Sequence, residues 1–412
     1  MAKVAPFAGW RYNVEKFAAL ADVVVPPYDV ISAEELARLQ NKNPYNFSRI
    51  ILPEGENKHR NAAELFRRWQ QEKVFVQDSS PRFYFYRQKF HLLPHELFCQ
   101  NLDGKTELSR TGIFCRVGVE DYTSRVILPH ERTFSGPKAD RYLLMDAARG
   151  NMEPVFLGYD SLDFSGDEFS RAVGALKPDM SFRDSGGVTH ELWALADGQI
   201  QGAVAASMKN LKFYILDGHH RYETALKFYK DRGGASAAYV LADVCSLKQI
   251  GAVILPTHRA LKGIPDLNAA SLATKLSRHG VFHQNLSLAQ LEEKMRKTQA
   301  PTFGFRFASG NYSLMVCGSR SGAQLDLEIL HGEILPALNG GKPLEEEQIG
   351  YFKDIRELEE QISQGRFQLE ILVKPSSTNE VMETAEQGKV MPHKSTFFYP
   401  KIPSGLVVNL FE

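Results

Sequence analysis

The chain has 412 residues, enough for two or three domains at about 150 residues each, and is 43% hydrophobic and 24% charged, the balance of a soluble globular protein. Lysine plus arginine and aspartate plus glutamate both number 49, so the formal net charge is zero, which argues against a dedicated nucleic-acid binder. Cys99, Cys115, Cys245 and Cys317 form no CxxC pair, which fits reduced cytoplasmic thiols better than a zinc ribbon or disulfide frame, and no apolar run approaches the ~20 residues of a membrane span.

The N-terminus lacks the apolar core of a signal peptide. Val23, Val24 and Val25 stop at Pro26 and Pro27, which predicts a strand ending in a rigid loop that carries Tyr28 and Asp29. Ser32 and Glu35 have capping-box spacing and open a helix with Leu36 and Leu39 inward. Residues 47–52 read as another strand. Ala62, Leu65, Phe66 and Trp69 share one face of an amphipathic helix, a helical insertion near residues 58–75. Residues 83–90 and 112–119 are strand-like, and the Asp103-Gly104 turn signal between them predicts antiparallel neighbours. A dense polar stretch over residues 128–141 leads into a helix with Leu143, Leu144 and Ala147 inward. A strand at 155–159, a helix at 164–176 and a strand at 192–195 follow.

Residues 211–216 read as a short buried strand that turns at Gly218 into a helix with Tyr222, Ala225, Leu226 and Tyr229 on one face. A strand that turns at a glycine into a helix leaves backbone N–H groups free at the positive end of the helix dipole, which makes an anion site. His219, His220 and Arg221 add donors where a phosphate would lie. With Asp217, these polar residues exceed what capping needs. Buried strands are expected at 237–244 and 252–255, the second running into His258 and Arg259. The pattern changes from about Lys262, with helices near 272–279 and 288–297 and strands at 302–307 and 312–316. An acidic helix over 344–364 turns its carboxylates to solvent, and Ser377 or Thr378 caps a short helix ending at Gly388. The polar segment from Met391 to Lys401 reads as a docking tail.

Several catalytic motifs are missing. Gly340-Gly341-Lys342 is followed by Pro343, where a Walker A loop needs a hydroxyl for magnesium, and no GxGxxG follows a strand. HExxH and GxSxG are absent. Adjacent histidines diverge by about 100° on a helix, so His219 and His220 cannot easily share a metal; one of them with His130, Glu131 or His258 remains an alternative. The remaining groups suit phosphoryl transfer, which needs cationic donors, usually Mg2+, and a carboxylate to orient the attacking hydroxyl. The donors are His219, His220 and Arg221, with Lys138, Arg141 and Arg259 from other loops; the carboxylates are Asp29, Glu131, Asp140 and Asp217. Each has a plainer reading. Asp29 can cap the Ser32 helix, Glu131 and Asp140 can pair with Arg132 and Arg141, and His258-Arg259 can be a strand-end salt bridge.

Four motifs occur here in one order: Val24-Val25-Pro26-Pro27-Tyr28-Asp29-Val30-Ile31; Leu128-Pro129-His130-Glu131-Arg132-Thr133 with Gly136-Pro137-Lys138-Ala139-Asp140-Arg141; Asp217-Gly218-His219-His220-Arg221-Tyr222-Glu223-Thr224-Ala225; and Met391-Pro392-His393-Lys394-Ser395-Thr396-Phe397-Phe398-Tyr399-Pro400-Lys401. Together they resemble the bacterial and archaeal domain-of-unknown-function family 1015 over nearly the whole chain, a resemblance that supplies no activity. The turn Gly218-His219-His220-Arg221 is also similar to the phosphate-holding turns of sulfiredoxin and ParB-like proteins. Its Asp-Gly-His-His-Arg form resembles the free serine kinases of that fold, which phosphorylate free L-serine with ADP or ATP and Mg2+. This resemblance implies that Gly218, His219, His220 and Arg221 bind donor phosphates, with Asp217 near the metal or the reacting hydroxyl. It carries over no catalytic glutamate, so position alone puts the base at Asp29, with Glu131 a further catalytic candidate. Tyr28, His130, Lys138, Arg141, His258 and Arg259 are expected as substrate or phosphate contacts.

The expected protein is α/β (α+β). It has a ParB/sulfiredoxin-like mixed-sheet nucleotide-binding core over residues 1–261 and an α+β C-terminal domain over 262–412, whose tail folds back on the core. The expected function is a nucleotide-dependent kinase of a small hydroxyl metabolite, L-serine first, using ATP or ADP with Mg2+ at Asp217. Two other classes stay open: a ParB-like nucleotide-binding regulator without turnover, and a metal-dependent hydrolase. Neither membrane nor nucleic acid is an expected partner, and the oligomeric state is left open.

Overall fold

The strand Phe83–Phe90 is apolar at most positions because both faces of its sheet are covered. Tyr84 and Tyr86 join a cluster with the helix Lys58–Gln71, the N-terminal segments and the C-terminal tail. Phe83 and Phe85 join another, with the helices Gly198–Met208 and His219–Arg232. That alternation is the period of two of an extended chain. The computed structural model describes residues 2–100, 102, 104–161, 171, 173–308, 310–318 and 324–411, and in it this sheet has nine strands. From one edge they run Ile127–Leu128, Phe213–Asp217, Val155–Tyr159, Tyr239–Ser246, Leu108–Gly118, Phe83–Phe90, Thr189–Leu195 and Met180–Arg183, with Val4–Ala5 added against Leu108–Gly118. Two of the pairings are parallel, so the sheet is mixed.

A second sheet orders Gly280–Leu286, Tyr312–Cys317, Thr302–Phe307, Leu369–Leu372, His258–Leu261 and Ile349–Phe352 over its own apolar clusters. The chain then returns. Phe397–Tyr399 pairs with Val253–Leu255, Ser404 bridges Val25, Val408 bridges Trp10, and Asn409–Leu410 pairs with Gly150–Asn151. The protein is therefore mixed α/β, of the α+β kind. Among the described residues no helix is long and apolar enough to cross a membrane.

Most expected elements form, and the exceptions have physical reasons. The valine run makes no sheet strand; 3-10 turns flank it and Val25 makes one bridge, to Ser404. Residues 47–52 form not a strand but the short helix Ser48–Ile51, because the Asn46 carboxamide oxygen accepts from the Ser48 N–H and hydroxyl and starts a turn. The acidic stretch splits into the strand Ile349–Phe352 and the helix Ile355–Ser363. Leu143 and Tyr229 face outward rather than into the core. Most of the helix expected over 164–176, and Asn101 and Asp103 of the expected hairpin turn, lie outside the described residues.

Candidate active site

Ile127–Leu128 and Phe213–Asp217 lie parallel, with Ile127 opposite Phe213 and Leu128 opposite Tyr214. Their carboxyl ends therefore deliver His130-Glu131 and Asp217-Gly218 to one place. A bulge between Ile215 and Asp217 re-aims the second strand's end. Gly218 holds φ +87°, and a Cβ there would stand 2.8 Å from Arg221 Nε, so only glycine fits the turn. No side chain caps the helix His219–Arg232, which leaves its first N–H groups to a ligand.

Asp217 sits between two cations. Lys401 Nζ is 2.5 Å from Oδ1, and Arg221 Nη2 donates to Oδ2. Burial opposes ionisation, but Lys401 and Arg221 outweigh it and hold Asp217 well below the usual carboxylate range. Arg221 is only 7% exposed and spends Nη1 on the Pro154 carbonyl. It fixes Asp217, with both terminal nitrogens engaged inside the protein. The magnesium ion expected on Asp217 does not fit. Both its oxygens face cations, and among the described residues no three His, Cys, Asp or Glu side chains group to hold a metal.

The histidines are set by backbone donors. The His130 N–H donates to His219 Nε2 (3.3 Å) and the Phe134 N–H to His220 Nε2 (2.9 Å), so each neutral ring carries its proton on Nδ1. Burial holds His219 well below its ordinary value, lowers His220, and brings His130 to about 4. His219 Nδ1 stands 3.8 Å from Glu131 Oε2. The Thr396 hydroxyl lies 2.9 Å from His130 Nε2 and 3.4 Å from Glu131 Oε1. Glu131 is open on one side, its side chain 28% exposed, but protein surrounds the rest. Burial pushes its carboxyl up to about 7 against the pull of Lys401. A carboxyl so poised exchanges protons near neutrality.

The other expected residues divide. Glu223 accepts from Thr133 (2.7 Å) and Lys138 (2.9 Å) beside a cavity of about 780 Å³ between the helices Ser135–Ala148 and His219–Arg232. Arg141 is buried, donating to Glu153 (3.1 Å) and Asp140 (2.6 Å) with its guanidinium 4.2 Å from the Tyr28 ring. It latches the Tyr28 loop and is not a free phosphate contact. Glu153 also accepts from the Tyr28 N–H (3.2 Å) and the Ser404 hydroxyl (2.9 Å). Tyr28 is half-buried, and burial followed by the Asp29 charge pushes its phenol up. Asp29 is exposed, and its charge acts on His220 and Arg221. It does not cap the next helix, since Ser32 Oγ accepts from the Glu35 N–H (3.2 Å).

His258 and Arg259 lie apart, in the second sheet. Arg259 is fully buried and donates to the carbonyls of Thr257, His393 (3.3 Å) and Lys394 (3.2 Å), while His258 Nδ1 accepts from the Val373 N–H. They lie away from the Asp217 turn, and among the described residues Arg259 pairs with carbonyls and with no carboxylate, so the strand-end salt bridge does not form. Lys401, Thr396 and Glu153 were missed. The tail motif carried a signal for the first two, but only the fold selects Lys401. Arg110 donates to the carbonyls of Tyr399 (3.1 Å) and Pro400, which brings Lys401 to Asp217.

The profile of the family described as "Protein of unknown function (DUF1015)" matches residues 4–331. The chain belongs to that family. No curated protein matches its sequence. Similar solved structures include a conserved hypothetical protein from Pyrococcus furiosus, 16% identical with a TM-score of 0.36 over 73% of this chain and 94% of that one. A free serine kinase variant in complex with AMP is 14% identical, TM-score 0.37, over 72% and 92%. SbnI with a C-terminal truncation from Staphylococcus aureus is 12% identical, TM-score 0.38, over 72% and 87%. These likenesses are distant, and the chemistry of the site is read from its own residues.

Proposed function

We propose that this protein is a nucleotide-dependent kinase of a small hydroxyl compound, with free L-serine the first acceptor to test, and that its larger sheet is a ParB/sulfiredoxin-like nucleotide-binding core. One observation carries the reading. Two parallel strand ends bring Glu131, poised near neutrality, to an uncapped helix N-terminus beside Lys401. Phosphoryl transfer needs little more from a protein than positioning, positive charge and a proton acceptor.

The first amides of the helix His219–Arg232 and the Nδ1–H of His220 take the donor phosphates of ATP or ADP. The cavity beside Glu223 and Lys138 is large enough for a nucleoside. Glu131 removes the proton of the attacking hydroxyl, and Asp29, at the tip of its latched loop, orients the acceptor. Lys401 neutralises charge on the transferred group. Asp217 and Arg221 hold Lys401 in place rather than touching substrate. Magnesium enters as part of the nucleotide substrate. The test is incubation with ATP or ADP, Mg2+ and L-serine, followed by detection of O-phosphoserine. Product from either donor is expected; none from folded protein rejects serine as the acceptor.

A further inference from the structure

A second cavity, of about 600 Å³, reaches the site at Lys401. Val30, next to Asp29, and Lys401, bound to Asp217, both line it, so one end adjoins the reacting groups. Its walls are largely apolar, from Val25, Leu39, Phe182 and Phe397. At the edge of the second sheet Lys353 also reaches it. Lys353 Nζ is 4.7 Å and Lys401 Nζ 4.6 Å from the centre of the same Phe397 ring. Lys401 is paired with Asp217, which it shares with Arg221; among the described residues Lys353 has no hydrogen bond or ion pair. The cavity's own carboxylates are engaged, Asp184 with buried His190 and Glu35 with Arg38. An ammonium group held only over an aromatic ring, with no anion against it among the described residues, at an apolar cavity that opens on a reactive centre, is a receptor for an anion with an apolar body.

We propose that this cavity seats the acceptor, and that the acceptor is a hydroxy acid with an apolar chain longer than that of serine, its anionic group on Lys353 and its hydroxyl toward Lys401 and Glu131. The proposal rests on the kinase reading for the fate of the hydroxyl but not for the binding. A volume near 600 Å³ lies within the range of about 300–1,000 Å³ that holds drug-sized ligands. A three-carbon amino acid leaves most of it empty.

The test is calorimetric binding of L-serine, 3-hydroxybutyrate, 3-hydroxyhexanoate and the uncharged hexane-1,3-diol to the full chain without nucleotide. Lys353 is an exposed residue beside a strand end, so Lys353→Met folds normally. Affinity is expected to rise about fourfold per buried methylene from hydroxybutyrate to hydroxyhexanoate. It is expected to fall about tenfold in Lys353→Met and for the diol, the size of one charged hydrogen bond. Ser185→Trp, at an exposed turn on the rim, blocks the cavity and abolishes binding of all four. Serine binding as tightly as 3-hydroxyhexanoate, no binding of any probe, or Lys353→Met binding unchanged overturns the proposal. In turnover, a rise confined to the nucleotide KM in Lys353→Met assigns the cavity to the donor and also overturns it. Binding that follows the expected order without any phosphorylation leaves the acceptor site standing and removes the kinase reading. Serine phosphorylation indifferent to Lys353→Met does the reverse.

Discussion

Arg221 and Arg259 are both buried, and their surroundings shift them in opposite directions. Burial works against the charge of each, but Asp217, Glu153 and Asp29 more than compensate at Arg221 and raise its pKa. At Arg259 no carboxylate answers among the described residues, and burial brings it down to about 10. Arg221 shares Asp217 with Lys401, and so sets a charge at a reactive centre. Arg259 donates to carbonyls, of Thr257, His393 and Lys394, and so sets a backbone path. A buried arginine marks a site by what answers its charge, not by its burial.

Substitution separates the two. Arg221→Met leaves Asp217 buried with one cation fewer and is expected to cost about 3–5 kcal/mol, the usual loss when one partner of a buried pair is removed. Arg259→Met orphans carbonyls but no charge, and is expected to cost about 1–3 kcal/mol. Urea unfolding at neutral pH measures both. Equal losses would erase the distinction.

A smaller effect concerns pH. Burial pushes Glu131, Asp243 and Glu370 each up to about 7. In the unfolded chain they ionise at ordinary carboxylate values, so from there to about 7 the folded protein holds more protons and stability falls as pH rises. Asp217 is depressed, so its contribution is present above the ordinary value and is lost as pH falls through the acid range. The lowered histidines, His130, His219 and His220 among them, pull the other way below their ordinary value, so the test is the difference between two proteins: wild type should lose stability relative to Glu131→Gln as pH rises from the ordinary carboxylate value to about 7. A difference in melting temperature that stays constant across that range would remove Glu131 from the account.

What could be read in the sequence followed the same division. The alternating run Phe83–Phe90 and the strand, glycine and helix around Gly218 were legible because their signals are local: period, turn and cap. The valine run misled because β-branched residues also line a coil, and the one partner of Val25 is Ser404, at the far end of the chain. Residues 47–52 misled because a single side chain, Asn46, decided between strand and helix. Glu131 was visible as a candidate, but its poise near neutrality depends on burial that no local pattern carries. The ion pairs of Arg221 with Asp217 and of Arg141 with Glu153 were not legible in a list of residues, because each joins segments that only the fold brings together.

The most direct test of the account is the pH dependence of kcat/KM for phosphoryl transfer, with wild type and Glu131→Gln compared on the best acceptor found. Wild type should show a rising limb centred near 7, where Glu131 loses its proton. Glu131→Gln should lose that limb and fall about 100- to 10,000-fold, the range of a general base, while nucleotide still binds. A variant that keeps both the wild-type rate and the limb contradicts the assignment of Glu131 as the base.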